Sequence, residues 1–166
     1  WMEGLEGVAN ELNKVEGLNK TLSNFKDYQA QVEKTSLELR NKLDNNLAID
    51  KRILITSHDA FEYFGDAFQF KVRGLQGIST AAEYGAKDVK DLIDFVVNNN
   101  IKSVFIETSV SDKNLRAVIE GAKARDYDLS IGGTLYSDAL GEDGTASGTY
   151  IGMLKANVNS IITGLK

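Results

Sequence analysis

"LITSHDAFEYFG", residues 54–65, decides the fold. Its opening is an apolar, β-branched run of the kind that forms a buried strand, and Asp59 to Gly65 reads as the start of a helix. Between the two sits His58, the only histidine in the chain. A strand that hands straight over to a helix is the first half of a β–α–β unit. The pattern recurs downstream, with β-type runs at Arg52 to Thr56 (RILIT), Lys71 to Leu75 (KVRGL), Ser103 to Glu107 (SVFIE) and Asp128 to Ile131 (DLSI). Helical patterns at about 59–69, 88–99, 113–125 and 149–165 alternate with them. That order predicts an α/β fold, a parallel four-stranded sheet flanked by helices and joined by right-handed crossovers.

Upstream of this region the texture is helical. Leu5, Val8, Leu12, Val15, Leu18 and Leu22 fall at steps of three and four, which predicts a helix to about Ser23 with one apolar face. A second pattern runs from near Phe25 through Tyr28, Val32, Leu39, Leu43 and Leu47, long enough for a helix of roughly 35 Å. The expected organisation is therefore a helical segment over 1–50, including one long helix, and an α/β lobe over 51–166.

Composition narrows the function classes. Nineteen basic residues against 24 acidic ones give a formal charge of −5, which opposes the counterion release that drives nucleic-acid binding. No nucleic acid is expected as a partner. The absence of cysteine excludes disulfides and thiolate metal sites. No apolar run approaches the roughly 20 residues of a membrane span, and no basic segment followed by an apolar one opens the chain as a signal peptide would.

Open parallel sheets place ligands beyond the carboxyl ends of their strands. The residues there are His58 and its neighbours, the 77–80 loop (GIST), Glu107 with Thr108 and Ser109, and the 132–148 segment that carries Asp138. A histidine and two carboxylates on one rim suit a metal of hard to borderline character, or acid–base work. Each also has a structural explanation. His58 can be a buried or helix-start histidine, Asp138 a loop aspartate or a helix cap, and Glu107 an acceptor for N–H groups at the start of the next helix. Ser57, His58 and Asp59 spell a hydrolytic triad, but contiguous residues of an extended segment point to opposite faces, and no Gly-x-Ser-x-Gly elbow is present. Ser57 or Asp59 is instead expected to cap the following helix. "GEDGTASG", residues 141–148, lacks the pattern of a phosphate-binding loop and reads as a surface turn.

Taken together, "SHDAFEYFGDAF", "LQGISTAAEYGAKDVKDLIDFV", "SVFIETSVSDKNLRAV" and "IGGTLYSDALGEDGTASGTYIGMLKANV" resemble, in order, the metal-binding solute-binding proteins of zinc and manganese ABC importers, the cluster A-I or TroA-like group. The resemblance covers about 51–165. It implies two α/β lobes joined by a long helix, with one divalent cation between them and two ligands from each lobe. On the positions that match, the second lobe's ligands are His58 in "HDAFEYF" and Asp138 in "GGTLYSDALG", with Glu107 a candidate partner that orients a ligand from behind.

Two departures stand out. A first lobe with its two histidines is absent from the sequence, and Trp1 resembles the tryptophan that ends a ligand-bearing stretch in relatives. Tyr84 also stands where relatives often carry proline. The resemblance thus implies the linking helix plus the C-terminal lobe of a binding protein that is not an enzyme. Such a protein works outside the cytoplasmic membrane, in the periplasm or anchored by lipid, and delivers Zn2+, or alternatively Mn2+, to an ABC importer permease. The chain alone would hold half a site and bind metal weakly or not at all, and the apolar face of its first helix would favour self-association. The competing reading is a stand-alone α/β enzyme with His58 as general base and Glu107 or Asp138 as its partner.

Overall fold

The computed structural model describes residues 2–76 and 85–166. The 77–80 loop and Tyr84 lie outside the described residues, as does Trp1. Among the described residues no helix is long and apolar enough to cross a membrane.

The helical segment begins with α1, Met2–Leu12, followed by α2, Thr21–Asp44. The single helix expected through Ser23 is interrupted: α1 stops at Leu12 and the chain turns over 13–20, where Gly17 takes a positive φ of 86°, a left-handed conformation that glycine adopts without steric cost. Val8, Leu12, Val15 and Leu18 remain exposed. The long helix α2 has 24 residues, about 36 Å at 1.5 Å per residue, but it starts and stops earlier than its apolar pattern suggests. Leu47 continues the pattern only because its N–H closes a last turn on the Leu43 carbonyl at 2.8 Å.

Two compact units divide between Asn41 and Lys42, upstream of the expected 50/51 division. The reason is Arg52, which is 2% exposed. Its guanidinium donates to Asp44 Oδ1 at 2.5 Å, to the Leu47 carbonyl at 3.1 and 3.2 Å, and to the Phe68 carbonyl at 3.1 Å. The last turn of α2 is thereby tied to the unit that contains the sheet.

In that unit, β1 (Ile53–His58), α3 (Glu62–Phe68), β2 (Lys71–Gln76), α4 (Ala86–Asn98), β3 (Ser103–Glu107), α5 (Lys113–Lys123), β4 (Ser130–Leu135) and α6 (Tyr150–Leu165) follow in order. The four strands are parallel and lie side by side as β2-β1-β3-β4. The chain thus leaves β1 toward one side for β2 and comes back to the other side for β3. The strand order reverses between β1 and β3, and a crevice opens at such a switch point. One sheet face, with Ile55, Leu75 and Val104, packs on Leu92 and Val96 of α4 and Leu115 and Val118 of α5. On the other side α6 packs along β4 and β3. Burial on both faces explains why β1 is apolar at consecutive positions rather than at alternate ones.

Strand β4 departs most from expectation, running to Leu135 instead of ending near Ile131. Gly132 and Gly133 argue against a strand by propensity. They are there for space: a Cβ on Gly132 would stand 3.1 Å from Gly164 Cα of α6, and Gly133 holds a φ of 156° beside a register shift against β3.

Removing the Arg52 guanidinium strands two buried carbonyls. Arg52→Ala is expected to lower unfolding free energy by about 2–4 kcal/mol in urea titration. Asp44→Ala removes the carboxylate that faces this buried guanidinium and should also destabilise, by less than Arg52→Ala because the two carbonyls keep their donor.

Candidate metal centre

Strand register builds the site. Thr56 pairs with Phe105, so the same register two residues further sets His58 beside Glu107, and on its other side His58 pairs with Gln76. Gln76, His58 and Glu107 therefore form one row across three strand ends, on one face of the sheet. The row crosses the switch point.

Glu107 holds His58 twice. Its Oε1 accepts the backbone N–H of His58 at 2.9 Å, and its Oε2 lies 2.7 Å from Nδ1 of the ring. The second approach is not aligned as a hydrogen bond, and neither Nδ1 nor Oε2 has a hydrogen-bond partner. The Glu107 side chain is fully buried and that of His58 is 4% exposed. A bare buried carboxylate oxygen is costly, which favours the tautomer that carries its proton on Nδ1, facing Oε2. That tautomer leaves the lone pair of Nε2 pointing away from Glu107. Glu107 was expected to accept N–H groups from the next helix; instead it turns both oxygens to His58.

On the far side of the ring, Nε2 lies 3.2 Å from Asp138 Oδ2. Asp138 sits in the turn after β4, its side chain 60% exposed. The turn is linked across to the end of β3, where Thr108 N–H donates to the Leu135 carbonyl at 3.0 Å and the Ser109 and Ser137 hydroxyls meet at 2.7 Å. With Nδ1 protonated, the imidazole lone pair and the carboxylate face each other, an arrangement that needs a proton or a cation between them. Two donors about 2.1 Å from an ion at a tetrahedral angle stand about 3.4 Å apart. The observed separation fits that edge.

The remaining candidates do not join the cluster. Ser57 Oγ is buried without a hydrogen-bond partner, so it is not activated by His58. Neither Ser57 nor Asp59 caps α3, which begins at Glu62 after Phe61 with no side-chain cap. The helix starts late because the chain turns first: Thr56 Oγ1 donates to the His58 carbonyl at 2.8 Å, and Ala60 N–H donates to the same oxygen at 3.1 Å. Asp138 caps no helix, and α6 is capped by the Thr149 hydroxyl. Among the described residues no three His, Cys, Asp or Glu side chains are grouped to hold an ion. Both oxygens of Glu107 face His58 rather than Asp138. Two residues that the sequence reading passed over also bear on the site. Gln76 completes the row beside His58, and Asn157 of α6 bonds the backbone just before the Asp138 turn.

A family model, the periplasmic zinc-uptake complex component A, matches residues 1–164. The chain belongs to this family. It is 40% identical over 168 residues to the manganese-binding lipoprotein MntA of Bacillus subtilis, covering all of this chain and 55% of that protein. The manganese ABC transporter substrate-binding lipoprotein PsaA of Streptococcus mitis is 27% identical over 162 residues, covering 96% of this chain and 50% of that protein. Among solved structures, the periplasmic zinc binding protein TroA from Treponema pallidum superposes with a TM-score of 0.93 at 37% identity, over 99% of this chain and 60% of that one. The chain spans about half the length of the curated relatives it matches. Its sheet, strand order and helices are those of a TroA-like lobe.

The tautomer is open to direct measurement. At mildly alkaline pH and without metal, the ring 15N shifts of His58 are expected to report the Nδ1–H form. Glu107→Ala should erase that preference and lower folding stability by about 1–3 kcal/mol, since two buried donors lose their acceptor. An unchanged tautomer in the variant would mean that Glu107 does not set the ring.

Proposed function

We propose that this chain is the C-terminal lobe, with the linking helix, of an extracytoplasmic solute-binding protein that captures a divalent cation and passes it to an ABC importer permease. His58 Nε2 and Asp138 are this lobe's two ligands. Glu107 does not touch the ion and fixes the imidazole that does. The remaining donors come from outside the described lobe. Family membership supports the transport role, as do the lipoprotein, periplasmic and ABC transporter descriptions of the relatives. The observation that carries the ligand assignment is the 3.2 Å approach of Nε2 to Asp138 Oδ2, at the strand-order switch point and with Nδ1 already spoken for.

Zinc is the favoured cation and manganese the alternative. Imidazole suits zinc better than manganese, whereas a second carboxylate in its place would tilt the site the other way. Two donors alone fall far short of a complete structural zinc site, whose apparent binding free energy is roughly 10–16 kcal/mol. The chain by itself is therefore expected to retain much less than one metal per molecule after purification, as measured by elemental analysis.

In the full-length gene product, His58→Ala and Asp138→Ala should each lower Zn2+ affinity beyond the roughly 10–100-fold that loss of an orienting partner costs. Competition against a fluorescent chelator reads this directly. Wild-type affinity in either variant would remove that residue from the ligand set.

Leu5, Val8 and Leu12 line one side of an apolar groove, with Phe25 and Tyr28 on the other. Val8 is 59% exposed and Leu12 42%. Such a stripe promotes association. Light scattering of the isolated chain should show self-association that Val8→Asp reduces, and a monomer at all concentrations would contradict this.

A further inference from the structure

The Asp138 carboxylate reaches His58 from a turn, and turns are the mobile part of a fold unless something fixes them. Strand β4 is an edge strand, bonded only to β3. Its last rung on that side is the Leu135 carbonyl, and beyond it the N–H and C=O of Tyr136 have no strand to pair with. Asn157 satisfies both. This side chain, 2% exposed on α6, accepts the Tyr136 N–H through Oδ1 at 2.9 Å and donates from Nδ2 to the Tyr136 carbonyl at 2.8 Å. One acceptor and one donor in a single planar group is what a neighbouring peptide would offer, and among side chains of this length only Asn carries it. Nδ2 also lies 3.3 Å from Met153 Sδ, which uses its second hydrogen.

Helix α6 is in turn fixed along β4 so that Asn157 arrives at the right place. Gly164 lies so close to Gly132 that a Cβ on it would stand 2.6 Å from the Gly132 carbonyl oxygen. Ser160 Oγ donates to the Thr134 carbonyl at 3.2 Å. The sequence 164, 160, 157 on the helix thus meets 132, 134, 136 on the strand, and the last of these contacts falls two residues before Asp138.

Resting on the reading of Asp138 as a ligand, we propose that Asn157 is a positioning residue for the cation. It acts through the Tyr136 backbone to hold the Asp138 carboxylate opposite His58 Nε2, and it touches no metal itself. Its loss should therefore weaken the cation's hold in the manner of a missing orienting partner.

The test is a double-mutant cycle in the full-length gene product with Zn2+ and a competing chelator. Asn157→Ala is expected to lower affinity by about 10- to 100-fold. Asn157→Asp, which keeps the acceptor and loses the donor, covers the event that Asn157→Ala does not fold, and it should also bind Zn2+ more weakly than wild type. Val158→Ala, at the fully buried neighbour on α6, should lower the melting temperature and leave affinity unchanged. In an Asp138→Ala background Asn157→Ala should have no further effect, because the group it positions is gone. The proposal is overturned if the folded Asn157 variants bind like wild type or like Val158→Ala, or if Asn157→Ala costs as much without Asp138 as with it. Undiminished affinity in Asp138→Ala would overturn the ligand reading, and this proposal with it; normal loss in Asp138→Ala beside intact Asn157 variants sinks this proposal alone.

Discussion

A fully buried carboxylate is the constraint from which the site is built. Glu107 has no access to water, and burying a carboxylate is tolerable only where donors replace the lost hydration. One oxygen accepts the backbone N–H of His58, and the other faces the ring Nδ1 of the same residue at 2.7 Å. The dependence is mutual, since Nδ1 of His58 has no other acceptor. Neither residue is tenable at its position alone. The pair also requires β1 and β3 to be adjacent with His58 and Glu107 level, so the strand order and the chemistry constrain each other. A sheet with β2 between β1 and β3 would leave two unsatisfied polar groups at its centre.

The two donors that face each other are supported in opposite ways. His58 ends a central strand with its side chain buried, and its ring lies against a neighbour one strand away. Asp138 stands in the open, and what fixes it lies in its backbone: the bond from Thr108 to Leu135, the hydroxyl contact of Ser109 with Ser137, and the amide of Asn157 on Tyr136. On the proposed ligand assignment, a rigid donor stands next to one that can adjust its reach slightly.

Much of this was legible in the sequence because the parallel sheet writes itself in apolar runs. The run into His58 and "SVFIE" before the Thr108 turn give two strand ends, and Ser103–Glu107 is a strand over the very residues that its pattern marks. What escaped has specific causes. Propensity reads Gly132 and Gly133 as the end of β4, whereas their lack of side chains is what lets α6 approach, a fact visible only once Gly164 is known to lie opposite. Periodicity carries α1 through Gly17, because a left-handed glycine changes the chain direction without interrupting the spacing of leucines around it. Glu107 was recognisable as a rim residue, but its partner is set by strand register, which has no local signature. Asn157 carries a faint signal: an asparagine on the apolar side of the last helix, three residues before Ser160 and seven before Gly164, is out of keeping with its face unless it has a backbone to bond.

On the proposed assignment, the pair His58 and Asp138 bears on the metal less than the contrast between zinc and manganese suggests. One imidazole and one carboxylate are acceptable to both ions, and for a fixed set of nitrogen and oxygen donors zinc binds more tightly than manganese. A preference for zinc therefore needs no special device here, whereas a preference for manganese has to be imposed by the number and geometry of the donors that complete the sphere. The chain stands at 40% identity to a protein described as manganese-binding and at 41% to one described as zinc-binding. Similarity at that level follows the scaffold and does not separate the two ions.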